Sequence, residues 1–206
     1  GPNLDESEWT GLLDELASLD PYPQYVVASG SLPSGVPADF YARVADIVRE
    51  MGARCILDTS GDALRQAAGS GIFLMKPNLR ELSQLAGTDI ADEAEQEAAA
   101  LRLVEDGACE ALVVSLGASG ALLATAAGIE RFTAPSVSVR SRTGAGDSMV
   151  AAITVSLARG NSLRDSVLFG IAAGSAATMT PGTELCRLSD TDRLFERVRL
   201  KSIVTA

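Results

Sequence analysis

Short apolar runs that alternate with longer helical patterns constrain the fold of this chain more than any other feature. Four runs rich in Val, Ile, Leu and Ala occupy residues 25–29, 54–58, 72–76 and 111–115, and a stretch with helical spacing separates each from the next. Strands that alternate with helices pair in parallel through right-handed crossovers. The sequence therefore predicts an α/β fold with a mostly parallel sheet.

The pattern changes after residue 120. Residues 121–126 and 129–133 predict an antiparallel hairpin joined near Gly128, and two packed helices follow at 148–159 and 163–180. We find neither an internal repeat nor an interdomain linker, so we expect a single domain over residues 1–206. The remaining predicted helices span residues 6–19, 39–51, 62–68, 78–85, 92–105 and 190–199.

The absence of histidine removes several kinds of chemistry. The chain contains no histidine, so Ser–His and Cys–His nucleophilic mechanisms and histidine metal ligands are excluded. Acid–base catalysis would have to use Asp, Glu, Lys or Tyr. The formal net charge of −10 argues against nucleic acid or an anionic membrane as a partner.

The cysteines and the hydropathy pattern indicate where the protein works. Cys55, Cys109 and Cys186 lie far apart and outside any CxxC pair, which is typical of reduced thiols rather than of a disulfide or zinc framework. No apolar run reaches the ~18 residues that span a bilayer, and no signal-peptide pattern opens the sequence. We therefore expect a cytoplasmic protein.

A glycine-rich segment is the strongest candidate for a functional site. Gly144, Ala145, Gly146 and Asp147 precede an apolar run with helical spacing. A glycine loop at a helix start exposes unpaired N–H groups to an anion, and the helix macrodipole attracts negative charge there. A carboxylate beside such an anion hole can accept the proton of a hydroxyl that attacks a phosphoryl group. The alternative is structural, with Asp147 as the helix N-cap.

Polar residues also end each of the four predicted strands and open the loops that come next. They include Ser29–Gly30–Ser31, Asp58–Thr59–Ser60, Lys76–Pro77–Asn78 and Ser115–Leu116–Gly117. Ligands bind beyond the carboxyl ends of the strands in an open parallel sheet. Four polar strand ends together with an anion-binding loop favour a phosphate-handling site.

The spacing of Asn78 and Glu81 allows two interpretations. The two residues are three apart and so share a helical face. One interpretation is a capping box, with Asn78 as N-cap. The other places the Asn78 amide near phosphates and Glu81 near a hydrated Mg²⁺.

Several of these motifs together resemble the PfkB/ribokinase family of sugar kinases, and within it the phosphofructokinases. The resemblance runs in order over nearly the whole sequence. It implies a ribokinase-like three-layer α/β/α sandwich and ATP-dependent phosphorylation of a hexose phosphate, most directly fructose 6-phosphate. Tagatose-6-phosphate kinase, fructose-1-phosphate kinase and a non-catalytic nucleotide-binding fragment are the alternatives. The motifs that carry the resemblance lie at residues 29–35, 54–58, 76–81, 114–120, 144–147, 170–178 and 182–186.

The resemblance also implies roles for individual residues. Asp147 would be the catalytic base, and the amides of Gly144, Ala145 and Gly146 would form the anion hole. Ser31 would contact the sugar phosphate. Glu81 would bind Mg²⁺ through water and would also contribute to ATP binding. The implied ATP-binding residues are Lys76, Asn78, Glu81, Ser115, Gly117, Gly120 and Ser175.

A monovalent-cation site is implied by the same resemblance. Its K⁺ ligands would come from Ser141, Thr143, Ala177, Thr180 and Gly182. The chain departs from the family pattern here, because Thr180 and Glu184 stand where we expect asparagine and arginine. A dependence on K⁺ therefore stays open.

Family members carry roughly another hundred residues before the first residue of this sequence, a size ordinary for part of a domain. By resemblance those residues hold the first strands of the sheet and a β-lid that closes over the sugar, so this chain corresponds to the C-terminal two thirds of a kinase. For a complete protein the resemblance implies a homodimer. The initial Gly1-Pro2 fits either a tag remnant or native sequence.

Overall fold

The computed structural model describes residues 2–204, with side chains described for residues 2–200. Gly1, and with it the question of a tag remnant, lies outside the described residues. Two compact units divide the chain. The first runs through Leu112 and includes Ala124–Gly128, and the second comprises Val113–Leu123 and the chain from Ile129 onward. Because β4 and β5 (bounds below) contribute to both units, the single-domain expectation stays a prediction.

The strands confirm the predicted α/β class. The sheet order is β1 to β6 in sequence, and β1 to β4 pair in parallel. A two-residue connection joins β5 to β6, and so short a connection joins only antiparallel strands. The strands are β1 (Tyr25–Ser29), β2 (Arg54–Asp58), β3 (Leu74–Met75), β4 (Ala111–Ser115), β5 (Ala121–Thr125) and β6 (Gly128–Phe132).

Strand β3 is shorter than the predicted run of residues 72–76. Its hydrogen bonds to β2 nevertheless continue on both sides, since the Phe73 amide donates to Cys55 O at 3.0 Å and the Lys76 amide to Leu57 O at 3.1 Å. Pro77 has no amide hydrogen and cannot extend this pairing. The apolar run therefore behaves as a buried strand over most of its predicted length.

Eight α-helices lie within residues 2–204, and each matches a predicted helix within three residues at its start. The first, α1, ends at Ala17 rather than at residue 19. Of its apolar residues Trp9, Leu12, Leu13 and Leu16, only Trp9 is buried, and Leu12 is 55% exposed. The helices are α1 (Glu6–Ala17), α2 (Phe40–Glu50), α3 (Gly61–Ala67), α4 (Leu79–Ala86), α5 (Glu93–Glu105), α6 (Ala145–Ala158), α7 (Leu163–Ala177) and α8 (Leu188–Val204).

The start of α6 corrects one interpretation of the glycine segment. We expected the helix to begin at Ser148, but it begins at Ala145, and Gly144 is its N-cap. Asp147 is therefore the third helical residue and cannot be the N-cap. The N-cap position adopts φ of +77°, which glycine reaches without the steric cost borne by other residues.

Each unit has its own buried apolar side chains. In the first unit these come from the central strands and the helices beside them, and they include Ile56, Leu57, Leu64, Ile72 and Leu74. In the second, α7 packs against both α6 and α8, and the fully buried side chains include Ile153, Leu168 and Leu194. Full burial of such a side chain contributes about 1.5–3 kcal/mol. No helix among the described residues is long and apolar enough to cross a bilayer.

Candidate active site

The carboxyl ends of β1 and β2 lie side by side in the first unit. Ser29 pairs with Asp58 in the register of these strands, and the Gly30 amide donates to Asp58 O at 2.9 Å. The polar residues that follow β1 and β2 are thus brought together as the sequence predicted. Ser31, the predicted sugar-phosphate residue, is exposed directly after Gly30.

Lys76 and Asp58 form a buried ion pair beyond the ends of β2 and β3. Lys76 Nζ lies 3.1 Å from Asp58 Oδ1, and the two side chains are only 6% and 17% exposed. Removing one partner of a buried pair leaves an uncompensated charge, which is strongly destabilising. Asp58 therefore holds the predicted ATP-binding lysine in place, a role that the sequence alone did not identify.

The Gly30 carbonyl collects two hydroxyl groups. Tyr41 Oη donates to Gly30 O at 2.9 Å, and Thr59 Oγ1 donates to the same oxygen at 2.7 Å. Burial raises the pKa of Tyr41 above that of an ordinary tyrosine, and the nearby charge of Asp58 raises it further. The raised pKa keeps the Tyr41 hydroxyl protonated, and hence a donor, over the physiological range.

Asn78 and Glu81 form the predicted capping box at the start of α4. The Glu81 amide donates to Asn78 Oδ1 at 3.0 Å, and the Asn78 amide donates to Glu81 Oε2 at 2.8 Å. The structural interpretation of this spacing is confirmed. A role toward phosphate or Mg²⁺ stays a prediction, and Glu81 is the carboxylate of this motif that could hold a hydrated cation.

In the second unit, the start of α6 leaves amide donors without protein partners. Gly144 provides no side-chain cap, and its carbonyl accepts from the Ser148 amide at 2.9 Å. Among the described residues, no protein acceptor bonds to the amides of Ala145, Gly146 and Asp147. Three unpaired donors at the positive end of a helix dipole form a site for an anion.

Asp147 is exposed in the first turn of α6. Within the part of the chain that the structure describes, its carboxylate has neither a hydrogen bond nor an ion pair. A carboxylate bound to a cap or a cation would be less available as a base. This one is available to accept a proton, as the functional interpretation requires.

Two glycines of α7 let this helix approach α6 closely. A Cβ built on Gly174 would lie 3.0 Å from Ala145 O, and one built on Gly170 would lie 2.6 Å from Ile153 Cγ1. The backbone of α7 thus rests directly against the first turn of α6. This contact fixes the position of the unpaired amides, and any larger residue at Gly170 would push the helices apart.

The predicted K⁺ ligands gather around two hydroxyl groups. Ser141 Oγ donates to Gly182 O at 2.8 Å and accepts from the Thr143 amide at 3.2 Å. Thr180 Oγ1 lies 2.8 Å from both Ala177 O and Glu184 O. Carbonyl and hydroxyl oxygens are the kind of ligand that a hard cation takes, but the role of these residues toward K⁺ stays a prediction, with Thr180 and Glu184 departing from the family pattern.

The predicted nucleotide residues of the second unit have partly structural roles. Gly120 adopts φ of +107°, and a Cβ there would lie 1.9 Å from Phe132 O, so only glycine fits. Gly117 accepts from the Gly120 amide at 3.1 Å, and Ser115 is the last residue of β4. Ser175 Oγ donates to Ile171 O at 2.8 Å, within its own helix. Their roles toward ATP stay predictions.

Comparison with known proteins decides the family. The sequence profile of the pfkB family carbohydrate kinases matches residues 3–190. The chain belongs to the pfkB family of carbohydrate kinases. Within the family it is 50% identical, over 196 residues, to an ATP-dependent 6-phosphofructokinase isozyme 2 from Mycobacterium tuberculosis. That match covers 95% of this chain but only 58% of the relative.

Solved structures place this pfkB-family chain in the ribokinase-like fold. Phosphofructokinase-2 from Escherichia coli in complex with potassium superposes with a TM-score of 0.90 at 38% identity, covering 96% of this chain and 64% of that one. A ribokinase from Arabidopsis thaliana with ribose and ATP superposes with a TM-score of 0.72 at 21% identity, covering 95% and 61%. The predicted fold class is confirmed.

The pfkB relatives also bear on assembly. One Escherichia coli phosphofructokinase-2 structure, at 37% identity and a TM-score of 0.88, is described as a tetrameric inhibited form and is covered to 63%. That assembly differs from the homodimer that the sequence led us to expect for a complete protein. The oligomeric state of a complete form of this pfkB-family protein is therefore a matter for experiment.

Proposed function

We propose that the complete protein containing this chain transfers the γ-phosphoryl group of ATP to a sugar phosphate, with fructose 6-phosphate as the preferred acceptor. One observation carries the proposal. The first turn of α6 presents three amides that have no protein acceptor among the described residues, beside an Asp147 carboxylate that is likewise unpaired there. Anion-binding donors and a proton acceptor in one helical turn meet the needs of attack by a hydroxyl on a phosphoryl group.

In this mechanism, Asp147 accepts the proton of the acceptor hydroxyl as its oxygen attacks the γ-phosphorus. The bond from phosphorus to the bridging oxygen of ADP breaks in line, and ADP leaves with the electron pair. The amides of Ala145, Gly146 and Asp147 stabilise the negative charge on the transferring group. Their N–H groups point out of the N-terminal end of α6 and are held there by the helix, so they need not reorient during the reaction. Electrostatic stabilisation of this kind is the principal contribution of a protein to phosphoryl transfer.

The strand-end residues serve binding. Lys76, held by Asp58, supplies positive charge to the ATP phosphates, and Asn78 supplies an amide group. Glu81 would hold Mg²⁺ through water, and when bound this ion neutralises phosphate charge. Potassium would take the oxygens of Ser141, Thr143, Ala177, Thr180 and Gly182.

We choose fructose 6-phosphate as the acceptor because a similar protein is named for its activity on that sugar phosphate. The Mycobacterium tuberculosis relative is an ATP-dependent 6-phosphofructokinase and shares half of the aligned residues. Ser31, exposed beyond β1, would contact the phosphate already on the sugar. Both ATP and sugar phosphates are cytoplasmic metabolites, in keeping with the expected location.

A panel assay of the full-length protein tests this function. ADP release would be measured with MgATP and, separately, fructose 6-phosphate, tagatose 6-phosphate, fructose 1-phosphate and unphosphorylated fructose. We expect the highest kcat/KM with fructose 6-phosphate. The product should be fructose 1,6-bisphosphate. Tight binding of ATP without transfer to any of these acceptors would overturn the proposal in favour of a non-catalytic nucleotide-binding role.

A further inference from the structure

The backbone N–H and the backbone C=O of Gly30 are both hydrogen-bonded, although Gly30 lies outside any strand. Its amide donates to Asp58 O at 2.9 Å, and its carbonyl accepts from both Tyr41 Oη and Thr59 Oγ1. A carbonyl oxygen has two lone pairs, and both are used here. The Gly30 backbone also adopts φ of +99°, which glycine tolerates and other residues rarely adopt.

The two hydroxyl groups come from different parts of the first unit. Tyr41 is near the start of α2, and Thr59 follows β2 and is only 5% exposed. Tyr41 was not singled out in the sequence, and Thr59 was named only as one of the polar residues at the end of a predicted strand. Their shared contact with Gly30 O links the end of β1 both to α2 and to the end of β2. Each link is a side-chain hydrogen bond that a single substitution can remove.

The other end of the loop formed by residues 30–35 is also held. The Leu4 amide donates to Ser34 O at 2.9 Å, and a Cβ on Gly35 would lie 2.0 Å from Leu4 O. No side chain other than hydrogen fits such an approach. Ser31, by contrast, is exposed between the two anchored ends. The loop therefore presents an accessible serine on a fixed backbone.

We propose that Tyr41 and Thr59 are positioning residues for the sugar-phosphate acceptor, which act through the Gly30 carbonyl on the loop that carries Ser31. This inference rests on the proposed function, since it assigns the loop to the acceptor. Orientation of a bound group by a rigid backbone lowers the entropy that binding must overcome. Without the two hydroxyls, the Ser31 side chain should be poorly aligned with the bound sugar phosphate.

Kinetic variants of the full-length protein separate this role from general support of the fold. Tyr41→Phe removes one donor, Thr59→Val removes the other, and the double variant leaves Gly30 O without either. We expect KM for fructose 6-phosphate to rise about fivefold in each single variant and more in the double variant, the scale of one net hydrogen bond. KM for ATP should stay within about twofold, and Thr59→Ser, which keeps the hydroxyl, should restore the wild-type value.

Tyr25→Phe is the matched control. Tyr25 lies at the opposite end of β1, and its hydroxyl accepts from Arg54 at 3.4 Å. Tyr25→Phe therefore removes one phenolic hydroxyl, as Tyr41→Phe does, but it removes no hydrogen bond to Gly30. We expect its KM for fructose 6-phosphate to match that of the wild type. An equal rise in the control would overturn the proposal, because the effect would then belong to β1 as a whole.

Hydrogen exchange supplies a readout that needs no activity. The Gly30 amide, which is hydrogen-bonded to Asp58 O, should exchange at least about fivefold faster in the double variant, while the amides of α6 stay unchanged. Unchanged exchange would overturn the proposal, and so would faster exchange with an unaltered KM for the sugar phosphate. A wild-type protein that transfers no phosphate would refute the proposed function instead, and exchange would still show whether the hydroxyls hold the loop.

Discussion

Helices α6 and α7 both carry an aspartate at their third position but use their first turns differently. In α7, the N-cap Ser162 accepts from the Asp165 amide at 3.0 Å and donates to Asp165 Oδ2 at 2.8 Å. In α6, glycine occupies the N-cap, and none of the side chains that the structure describes caps the turn. The first turn of α7 is thus capped by its own side chains, whereas the first turn of α6 keeps both its amides and its carboxylate available for a ligand.

This difference separates stability from function within a single unit. A capped first turn satisfies donors that would otherwise need water, and an N-cap contributes roughly 0.5–2 kcal/mol. The α6 turn gives up that contribution. Close packing of Gly174 against Ala145 holds it in position instead. An uncapped helix start that is held by its neighbours is typical of sites where binding matters more than local stability.

The largest effect is expected from Asp147→Asn in the full-length protein, with Asp165→Asn as its matched control. Asp147→Asn should lower kcat with fructose 6-phosphate at least ~10²-fold, the scale of losing a general base, with little change in ATP affinity. Asp165→Asn, at the equivalent position of α7, should leave kcat within about twofold and cost under ~1 kcal/mol of stability. Steady-state kinetics with saturating substrates measures both. Near-normal turnover by Asp147→Asn would show that the mechanism is wrong.

The second test gives α6 the polar cap residue that it lacks. Gly144→Asn places an amide side chain at a position with open space around it, and asparagine tolerates the left-handed backbone better than most residues. Its oxygen would compete for the unpaired amides, so KM for ATP should rise on the order of tenfold. The reciprocal variant, Ser162→Ala, should lose about 1 kcal/mol of stability without altering KM. If Gly144→Asn and Ser162→Ala had the same KM for ATP, the result would contradict an anion site on α6.

A third test asks whether close helix packing positions the α6 turn. Gly174→Ala adds a methyl group 3.0 Å from Ala145 O, whereas Gly11→Ala, within α1, meets nothing within 4 Å. Both should gain up to about 1 kcal/mol in helix propensity. Only Gly174→Ala should offset that gain through crowding and lower kcat/KM for ATP, by roughly threefold. Thermal unfolding and kinetics of both variants would measure the difference, and identical behaviour would remove the packing argument.

The smallest effect is expected in the two capping boxes of the first unit. The Asp5–Glu8 box of α1 and the Asn78–Glu81 box of α4 have matching geometry, with the N-cap amide donating to the glutamate at 2.9 and 2.8 Å. Glu8→Gln and Glu81→Gln should each lose only a few tenths of a kcal/mol. In addition, Glu81→Gln should raise the Mg²⁺ concentration for half-maximal activity about two- to threefold. A Mg²⁺ titration that is unchanged in Glu81→Gln would leave the box a purely structural feature.

Most of the fold could be predicted from local sequence because strand and helix patterns are local. The bounds of β1, β2 and β4 were predicted correctly, since each is an apolar run closed by polar or glycine residues. The start of α6 was placed three residues too late, because Gly144 and Gly146 have poor helix propensity. Tertiary packing against α7 overrides that propensity.

The supporting residues of the site could not be read from the sequence for a related reason. Tyr41 and Thr59 reach Gly30 from 11 and 29 residues away, and although Thr59 lies at a polar strand end, no local pattern predicts that either hydroxyl bonds to Gly30. The pairing of Lys76 with Asp58 likewise depends on the order of the strands. Sequence reasoning identified the residues with recognisable motifs and missed those that hold them in place.

The most direct test of the central claim is to place a mimic of the transferring phosphoryl group on the protein. Amide spectra of the ¹⁵N-labelled full-length protein would be recorded with Mg²⁺, ADP and fructose 6-phosphate, before and after addition of fluoroaluminate. We expect the amide resonances of Ala145, Gly146 and Asp147 to shift strongly downfield, as those of donors to an anion do, while the resonance of the capped Asp165 amide stays unchanged. Binding of the fluoroaluminate complex without any change at these three amides would contradict the central claim.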